Sequence, residues 1–538
     1  MLTNRLARGL IPRQHRLDHA TEAVSPAAPL ALHAGLLAAI AIGFILLGGG
    51  SMALHDVEAR LGIAAGEPIG PFGQVFGGYD PSLAPGRVAI SRLWAVMEGG
   101  IPSVGAIRWP SALAAVGIGL LLAMRVGSIL GHRAGTFAGL CAMGTLGLVD
   151  RSLAIIGDPL VGLAVLAAID RALSRGSGWL AGLLASAALM LGGWPALAAV
   201  LLPLIAIGRP GGSVSWKLLL PPLVTFAAWS AWAISVTRAE VWAATLTLPA
   251  RTPSTWTVGL WAIVAGLPWS PIAAGLAWPS VRSGLGPKPG RLVLDWIKVS
   301  AVGMLAATIV PGMGAAGGFL ILGGLVVASA AVLDRAWTGD LPRGAKWFTF
   351  GFALVLGLFV GGASVWTGAF LAAAQPYYRG VGIVAIGLGL AAALVAIDSA
   401  WMGATRGVGR TLILVAILVK ALHYGYHMPE TNYRFGKGPW GRAVGQYVPP
   451  RAPIYVFHSI SPALAFATEH PVRQLPAEEF LLVQPGNGPR FVLVTDSEFA
   501  HWPGDAPAIQ KVRAFEDEYG GIRVLARTAG KLVRQDVD

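Results

Sequence analysis

Residues 29–60 read PLALHAGLLAAIAIGFILLGGGSMALHDVEAR, an apolar run followed directly by a charged stretch. The run at 30–48 is long enough to cross a lipid bilayer, which needs roughly 20 mainly apolar residues as a helix. Asp56 and Glu58 follow shortly after its end and head a long loop of mixed polarity, at about residues 50–109. The sequence therefore predicts a membrane-embedded helix followed by an outer loop that carries two carboxylates.

Composition places the whole chain in the same class. Of its 538 residues, 55% are hydrophobic and only 12% are charged, and the mean hydropathy is +0.64. A water-soluble protein of this size needs more charged residues to cover its surface. We expect an all-α polytopic membrane bundle.

Further apolar runs repeat along the chain and set the expected number of spans. With the first run they number about thirteen, at 30–48, 110–129, 134–149, 158–173, 178–192, 194–208, 217–235, 257–278, 296–311, 314–333, 347–373, 380–402 and 409–424. The pair split by Gly192, Gly193 and Trp194 could instead be one kinked helix. Several runs are rich in Gly and Ala, which allow helices to pack closely in a bundle.

The Lys and Arg positions predict which side each connection faces, because short cytoplasmic connections carry the excess of positive charge. Connections rich in Lys and Arg alternate along the chain with connections that contain few of them. The basic connections hold Arg5 to Arg16, Arg125 and Arg133, Arg171 and Arg175, Arg209 and Lys217, the stretches 282–298 and 335–346, and Arg406 and Arg410. This pattern predicts a cytoplasmic segment at 1–29, taken as leading into an uncleaved first span, and a transmembrane domain at 30–431. The chain's tail, 432–538, is then extracytoplasmic, and the membrane is predicted to be the bacterial inner (plasma) membrane.

The net charge of +13 does not indicate a nucleic-acid-binding protein. Such a protein needs a basic face on a soluble module, whereas these cations are scattered over membrane-facing connections and suit contact with anionic lipids. Cys141 is the one cysteine of the chain, so neither a disulfide framework nor a thiolate metal site is available.

The residue pattern of the chain changes at about Asn432, from long apolar runs to short mixed segments. Short alternations of β-branched residues occur at 454–457, 491–495 and 522–526, separated by helix-like pieces such as PALAFATEH. This pattern predicts a small soluble α/β domain at 432–538. Its role is open between a structural or docking appendage and recognition of an acceptor.

The first loop holds the strongest candidates for chemistry. Its stretch VAISRLWAVMEG (88–99) is typical of an amphipathic helix at the membrane interface. Asp56 and Glu58 diverge on a helix but share one side of an extended chain. We favour Asp56, nearer the membrane, as general base for an acceptor nucleophile. The alternative is a turn in which Asp56 caps the next helix, although Ala59 stands where a capping box has Glu or Gln.

A second carboxylate, Asp158, lies in DRSLAIIGDPL (150–160), a connection predicted on the same outer side. A residue before proline is disfavoured in a helix, so Asp158 suits a helix entrance. Its structural alternative is an ordinary N-cap with proline at the first helical position, and both roles can coexist.

Arginines on the predicted outer connections are candidates for binding phosphate, because a guanidinium group can donate two parallel hydrogen bonds. They are Arg87, Arg108, Arg151, Arg251 and Arg379, each of which could instead anchor at lipid head groups. His55 beside Asp56 could join Asp158 in binding a divalent cation, but such ligands have no fixed spacing. No metal site and no certain cofactor are predicted.

In their order, these motifs resemble a known family. An acidic pair after the first span, a loop ending in RWPSALAA (108–115), a GHRAG turn (131–135) and an outer Arg and Asp-Pro are similar to the superfamily C (GT-C) glycosyltransferases. The resemblance is greatest to the dolichyl-phosphate-mannose protein mannosyltransferase and 4-amino-4-deoxy-L-arabinose lipid A transferase group. The later stretches at 180–204 and 266–276, and the YVPPRAPIYVF run (447–457), extend it over most of the chain.

The resemblance implies an enzyme that moves a sugar from a polyprenyl-phosphate-linked donor to a lipid, glycan or protein acceptor on the extracytoplasmic face. Asp56 matches the family's first-loop catalytic carboxylate, Glu58 its acidic companion and Asp158 the second outer acidic position. The implied reaction is a direct inverting displacement. Arg87, Arg108, Arg151 and Arg379 are then expected to contact the donor phosphate.

Two departures and two alternatives accompany this expectation. The chain reads APGR (84–87) where relatives have a Lys-Pro-Pro run, and GGWP (192–195) where they often have Lys-Gly-Pro. A transporter or flippase would show internal repeats and ionisable residues inside its spans, where only Asp398 stands out. A non-catalytic, transferase-like scaffold would be consistent with the absence of the relatives' lysines at these two positions.

Overall fold

The computed structural model describes residues 59, 61–63, 84–97, 104–145, 158–174, 178–207, 215–236, 260, 263–264, 266–310, 312–436, 438–450, 452–458, 460–481, 488–504, 506–516 and 521–528. In these ranges the chain is mainly helical, with one small sheet towards its C-terminal end. The first predicted span and the HDVEAR stretch as far as Glu58 lie outside the described residues.

Long apolar helices form most of this architecture. After α1 (Pro85–Met97), which confirms the predicted first-loop helix, come α2 (Val104–Leu130), α3 (His132–Gly144), α4 (Pro159–Leu173), α5 (Gly178–Ile207), α6 (Trp216–Val236), α7 (Pro287–Ile309), α8 (Gly314–Thr338), α9 (Arg343–Ala374), α10 (Arg379–Met402) and α11 (Arg406–Leu422). A π-helical turn, His423–His427, leads from α11 into α12 (Met428–Phe435).

Seven helices in the described ranges are long and apolar enough to cross a membrane: Ile107–Leu130, Gly178–Ile207, Pro287–Ile309, Ala316–Thr338, Arg343–Ala374, Pro376–Met402 and Arg406–Arg434. The chain is therefore an integral membrane protein. The expected count of about thirteen spans is not confirmed.

The predicted span at 257–278 is wrong as a continuous helix. Residues 266–269 form a turn, and only short helical segments follow it, Ser270–Ala273, Ala274–Ala277 and Pro279–Ser283. Pro268 and Pro271 lack the backbone N–H that an interior helical position donates, which explains the break. Hydropathy alone does not report such a break.

The helix α5 bends back at Gly193, whose φ of 69° and ψ of −168° are not helical. A straight helix of these 30 residues would be about 45 Å long, and the chain from Ile207 to Ser215 can reach back about 28 Å. Ser215 nevertheless lies beside the start of α5, since a Cβ added to Gly178 would lie 3.9 Å from the Cβ of Ser215, and a straight α5 would place Ile207 too far away for this. The runs at 178–192 and 194–208 are therefore two helical segments that meet at a sharp bend.

The helix α8 lies at the centre of the bundle. Its Phe319, only 1% exposed, packs where Gly162 of α4 leaves room for the ring, and Gly303 of α7 lies against Leu320 in the same way. The small residues thus let neighbouring helices approach closely. By contrast, α9 and α10 expose large apolar side chains, including Trp366 (74%) and Trp401 (87%), which suit contact with lipid rather than water.

Ion pairs join the helices at one end of the bundle. Arg125 of α2 lies 2.8 Å from Asp170 of α4, and Arg133 of α3 lies 2.7 Å from Asp334 of α8. These arginines belong to the connections predicted on one side of the membrane. We call this end the opposite face, and the end with α1, the start of α2 and Asp158 the loop face.

The C-terminal part contains the predicted small α/β domain. Its strands are β1 (Ile454–Val456), β2 (Val472–Gln474), β3 (Phe491–Thr495), β4 (Ile509–Glu516) and β5 (Ile522–Thr528), in the order β2-β1-β3-β5-β4. β1 is parallel to β2 and β3, whereas β5 is antiparallel to β3 and β4. The helices are α13 (Gly438–Gly445), α14 (Pro462–Ala467) and α15 (Asp496–Ala500), with a helical turn at Glu478–Leu481.

Replacing Gly193 with Ala tests the bend. An L residue at this positive φ is strained by about 1 kcal/mol, so we expect Gly193→Ala to lower the midpoint of thermal unfolding in detergent. Gly351→Ala is the matched control, because Gly351 is helical and a Cβ there meets no atom within 4 Å. An unchanged midpoint for Gly193→Ala would contradict the bend.

Candidate active site

Asp158 stands at the start of α4 on the loop face. Its backbone is extended, with φ −87° and ψ 122°, and Pro159 takes the first helical position. The Oδ1 atom accepts a hydrogen bond from the backbone N–H of Leu160 at 3.0 Å. The N-cap predicted as the structural alternative is therefore present, and it fixes the direction of the carboxylate.

The same carboxylate binds side chains from two other elements. The hydroxyl of Ser111, in the second turn of α2, donates to Oδ1 at 2.6 Å. Arg87, near the start of α1, forms an ion pair with Oδ2 through its Nε and donates from Nη1 to the Ser111 oxygen at 2.9 Å. Arg87, Ser111 and Asp158 thus form a closed network, which we call the Arg87 network.

Burial strengthens this network. Arg87 is 9% exposed and Ser111 1%, while the Asp158 side chain is 16% exposed. Hydrogen bonds between charged groups are stronger where water is excluded. A buried pair of this kind persists only because each charge has its partner in place.

Close backbone packing holds Arg87 in position. A Cβ on the preceding residue, Gly86, would lie 2.8 Å from the backbone oxygen of Met190 in α5. Only glycine therefore lets the start of α1 rest directly on α5. The APGR stretch, noted as a departure from the family pattern, places its arginine against Asp158 through this contact.

Arg108 belongs to the same region. It is 9% exposed and precedes Ser111 by three residues on α2, so both side chains lie on one face of that helix. Of the arginines predicted to bind phosphate, Arg87 therefore contacts Asp158, and Arg108 lies one helical turn before Ser111 on the loop face. Arg379 is exposed at the start of α10 and is not part of the Arg87 network.

Asp56, Glu58, Arg151 and Arg251 lie outside the described residues, so their roles remain predictions. The described residues begin at Ala59, which is fully buried, and continue with Leu61, which is 3% exposed. The segment that directly follows Glu58 is thus packed into the protein.

The sequence analysis did not identify Ser111 as a partner of Asp158, although Ser111 lies in the RWPSALAA motif. It also missed Lys420, which is 1% exposed within α11 and lies 5.6 Å from the ring centroid of Tyr424. The expectation that Asp398 is the notable charge within the spans is therefore wrong, because Lys420 is buried and Asp398 is exposed. The signal was available, since a lysine inside an apolar run marks a candidate functional position.

A metal centre has no support in the described part of the chain. There, no group of three or more His, Cys, Asp or Glu residues is placed to hold a metal ion. His55 and Asp56, which could have joined Asp158, lie outside the described residues.

The whole architecture matches a solved membrane protein. Neither a protein-family model nor a curated protein sequence matches the chain. ArnT from Cupriavidus metallidurans bound to undecaprenyl phosphate is 15% identical, with 93% of this chain and 98% of that chain covered and a TM-score of 0.61. In the apo state ArnT is 17% identical, with 92% and 97% covered and a TM-score of 0.62.

The chain has the fold of ArnT. ArnT is a GT-C lipid A aminoarabinose transferase, so the resemblance stated from the sequence is confirmed at the level of the fold. Because the likeness covers 93% of this chain, it includes most of the bundle and most of the C-terminal domain.

Substituting Asp158 with Asn tests the Arg87 network. Asn keeps the helix cap but removes the charge that faces Arg87, so we expect the protein to lose about 3 kcal/mol of stability. The readout is the midpoint of thermal unfolding in detergent. Asp398→Asn is the control, since Asp398 is exposed on α10, and equal midpoints for the two variants would contradict the network's importance.

Proposed function

We propose that this protein is an integral membrane glycosyltransferase that moves a sugar from a polyprenyl-phosphate-linked donor to a lipid, glycan or protein acceptor. One observation carries the proposal: a fold shared with ArnT, which binds undecaprenyl phosphate, presents a buried Arg87 network beside Arg108 on its loop face.

The reaction is a direct displacement at the anomeric carbon of the donor sugar. The acceptor oxygen or nitrogen forms the new bond to this carbon while the bond to the carrier's phosphate oxygen breaks. The acceptor gives up its proton, and the polyprenyl phosphate leaves with an added negative charge. The protein must therefore supply a base on one side of the sugar and cations on the other.

Asp56 is the proposed base and Glu58 its acidic companion, as the family resemblance implies. Asp158 is unsuited to take the proton, because both of its oxygens already bind Arg87, Ser111 or the Leu160 N–H. We assign it instead to hold Arg87. This division gives the two outer carboxylates different tasks.

Arg87 and Arg108 are the proposed contacts of the donor phosphate. The planar guanidinium of Arg87 uses its Nε and Nη1 groups towards Asp158 and Ser111, which fixes its plane. A fixed cation stabilises developing charge without reorganising during the reaction. Arg151 and Arg379 are further candidates on the same side.

The activity is tested by supplying membranes that contain the protein with a panel of radiolabelled polyprenyl-phosphate sugars. The label is then followed into lipid, glycan and protein fractions, which also identifies the acceptor class. Transfer of one label supports the proposal, whereas retention of every label on its carrier would overturn it.

Asp56→Asn is expected to lower transfer by about 100-fold or more, because general base catalysis contributes this much. The measurement is the initial rate with the sugar that the panel identifies, at matched protein levels in the membrane. Asp398→Asn should keep the wild-type rate. A wild-type rate for Asp56→Asn would remove Asp56 from the mechanism.

Arg87→Lys and Arg108→Lys should each weaken binding of undecaprenyl phosphate by about tenfold, since a charged hydrogen bond is worth roughly that factor. Lys keeps the charge but lacks the planar fork. Binding is measured with radiolabelled undecaprenyl phosphate on purified protein. Arg343→Lys, exposed at the start of α9, is the control, and unchanged affinity in both test variants would show that the phosphate binds elsewhere.

A further inference from the structure

The aromatic ring of Phe466, in α14 of the C-terminal domain, packs into the first loop. It contacts a small apolar cluster formed by Leu61, Val88 and Ile107. These residues come from three separate segments of the first loop, and they are 3%, 8% and 0% exposed. One side chain of the C-terminal domain therefore packs against a cluster in which all three segments meet.

Glycine at position 62 makes this contact possible. A Cβ added to Gly62 would clash with the Phe466 ring and would lie 2.7 Å from Cδ1 of Ile107. The next residue, Ile63, packs against the core of the C-terminal domain. The segment that follows Glu58 is therefore seated directly on that domain.

Two members of this cluster are chain neighbours of the proposed phosphate ligands. Val88 follows Arg87 on α1, and Ile107 precedes Arg108 on α2. Adjacent residues on a helix point in directions about 100° apart, so Val88 faces the cluster with Leu61 and Ile107 while Arg87 faces Asp158. A shift of either backbone segment would move the contact and the cation together.

The helix that carries Phe466 is itself held firmly. A Cβ on Gly441 of α13 would lie 2.6 Å from the Cβ of Ala467 and 2.8 Å from the backbone oxygen of Leu464. The segment α13 follows α12, which continues the last long apolar helix through the π-helical turn. A connected set of helices thus runs from the bundle to the Phe466 ring.

We infer that the C-terminal domain is a positioning part of the active site, and that Phe466 sets the places of Arg87 and Arg108. This inference rests on the proposed function, since it assigns the domain a task in that reaction. Phe466 acts through the first loop and is a positioning residue. The domain is then more than a docking appendage.

The first test compares Phe466→Ala with Phe515→Ala in the full-length protein. Phe515 is half-buried in the same domain, where it contacts Trp440 and Tyr447. We expect Phe466→Ala to lower kcat by about tenfold or more, because displacement of about 1 Å is costly to catalysis, with a smaller change in KM. Phe515→Ala should stay within about twofold of wild type.

Hydrogen exchange supplies a readout that needs no activity. In Phe466→Ala, amides of α1 should exchange faster while those of β1 and β3 stay protected, and Phe515→Ala should leave α1 unchanged. Equal exchange of α1 in Phe466→Ala and wild type would overturn the inference. Equal loss of kcat in both variants would also overturn it, as a general effect of destabilising the domain.

A pair of compensating substitutions tests the contact between Gly62 and Phe466 directly. Gly62→Ala alone should lower kcat, because its methyl group displaces the ring, and adding Phe466→Leu should restore much of the loss by making room. Lack of any restoration would argue against the contact. If wild-type protein transfers no label from the panel, the proposed function fails, whereas the exchange of α1 still decides whether Phe466 orders the first loop.

Discussion

The absence of water in the bilayer core constrains everything else in this protein. A backbone N–H or C=O in that region must find its partner within the chain, and the helix provides one for nearly every residue. The irregular segments and the polar groups are consequently found mainly at the ends of the bundle. The proposed reaction on a lipid-linked substrate has to take place there, with residues from helix starts such as Asp158 and from loop helices such as α1.

The Arg87 network shows how such a site can be stable. Removing a carboxylate and a guanidinium from water costs several kcal/mol for each ion, so their placement at 9% to 16% exposure requires full hydrogen bonding. Besides Arg87, Asp158 binds the Ser111 hydroxyl and the Leu160 N–H. The network therefore caps the N-terminus of α4 and also holds the guanidinium of Arg87 in a fixed orientation.

The sequence predicted the features that depend on local chemistry. Pro159 indicated the helix entrance at Asp158, the amphipathic pattern at 88–99 indicated α1, and the β-branched runs indicated the sheet. It could not predict that Arg87 would pair with Asp158, because this contact joins residues far apart in the chain and depends on the close approach at Gly86. Ser111 was overlooked because a serine in an apolar helix usually bonds to its own helix. The break at Pro268 was hidden by an apolar run that hydropathy reads as continuous.

The bend at Gly193 has a consequence for the membrane itself. Each half of α5, like α4 beside it, has about 15 residues and rises only about 22 Å, whereas the hydrocarbon layer is about 30 Å thick. Such a mismatch is met by local thinning of the bilayer or by ends that sit below the surrounding headgroups. In either case Asp158, at the start of α4, lies closer to the middle of the bilayer than the end of a full-length span would. This depth suits the proposed reaction, because the phosphate of a carrier lipid then reaches the protein while its tail stays among the acyl chains.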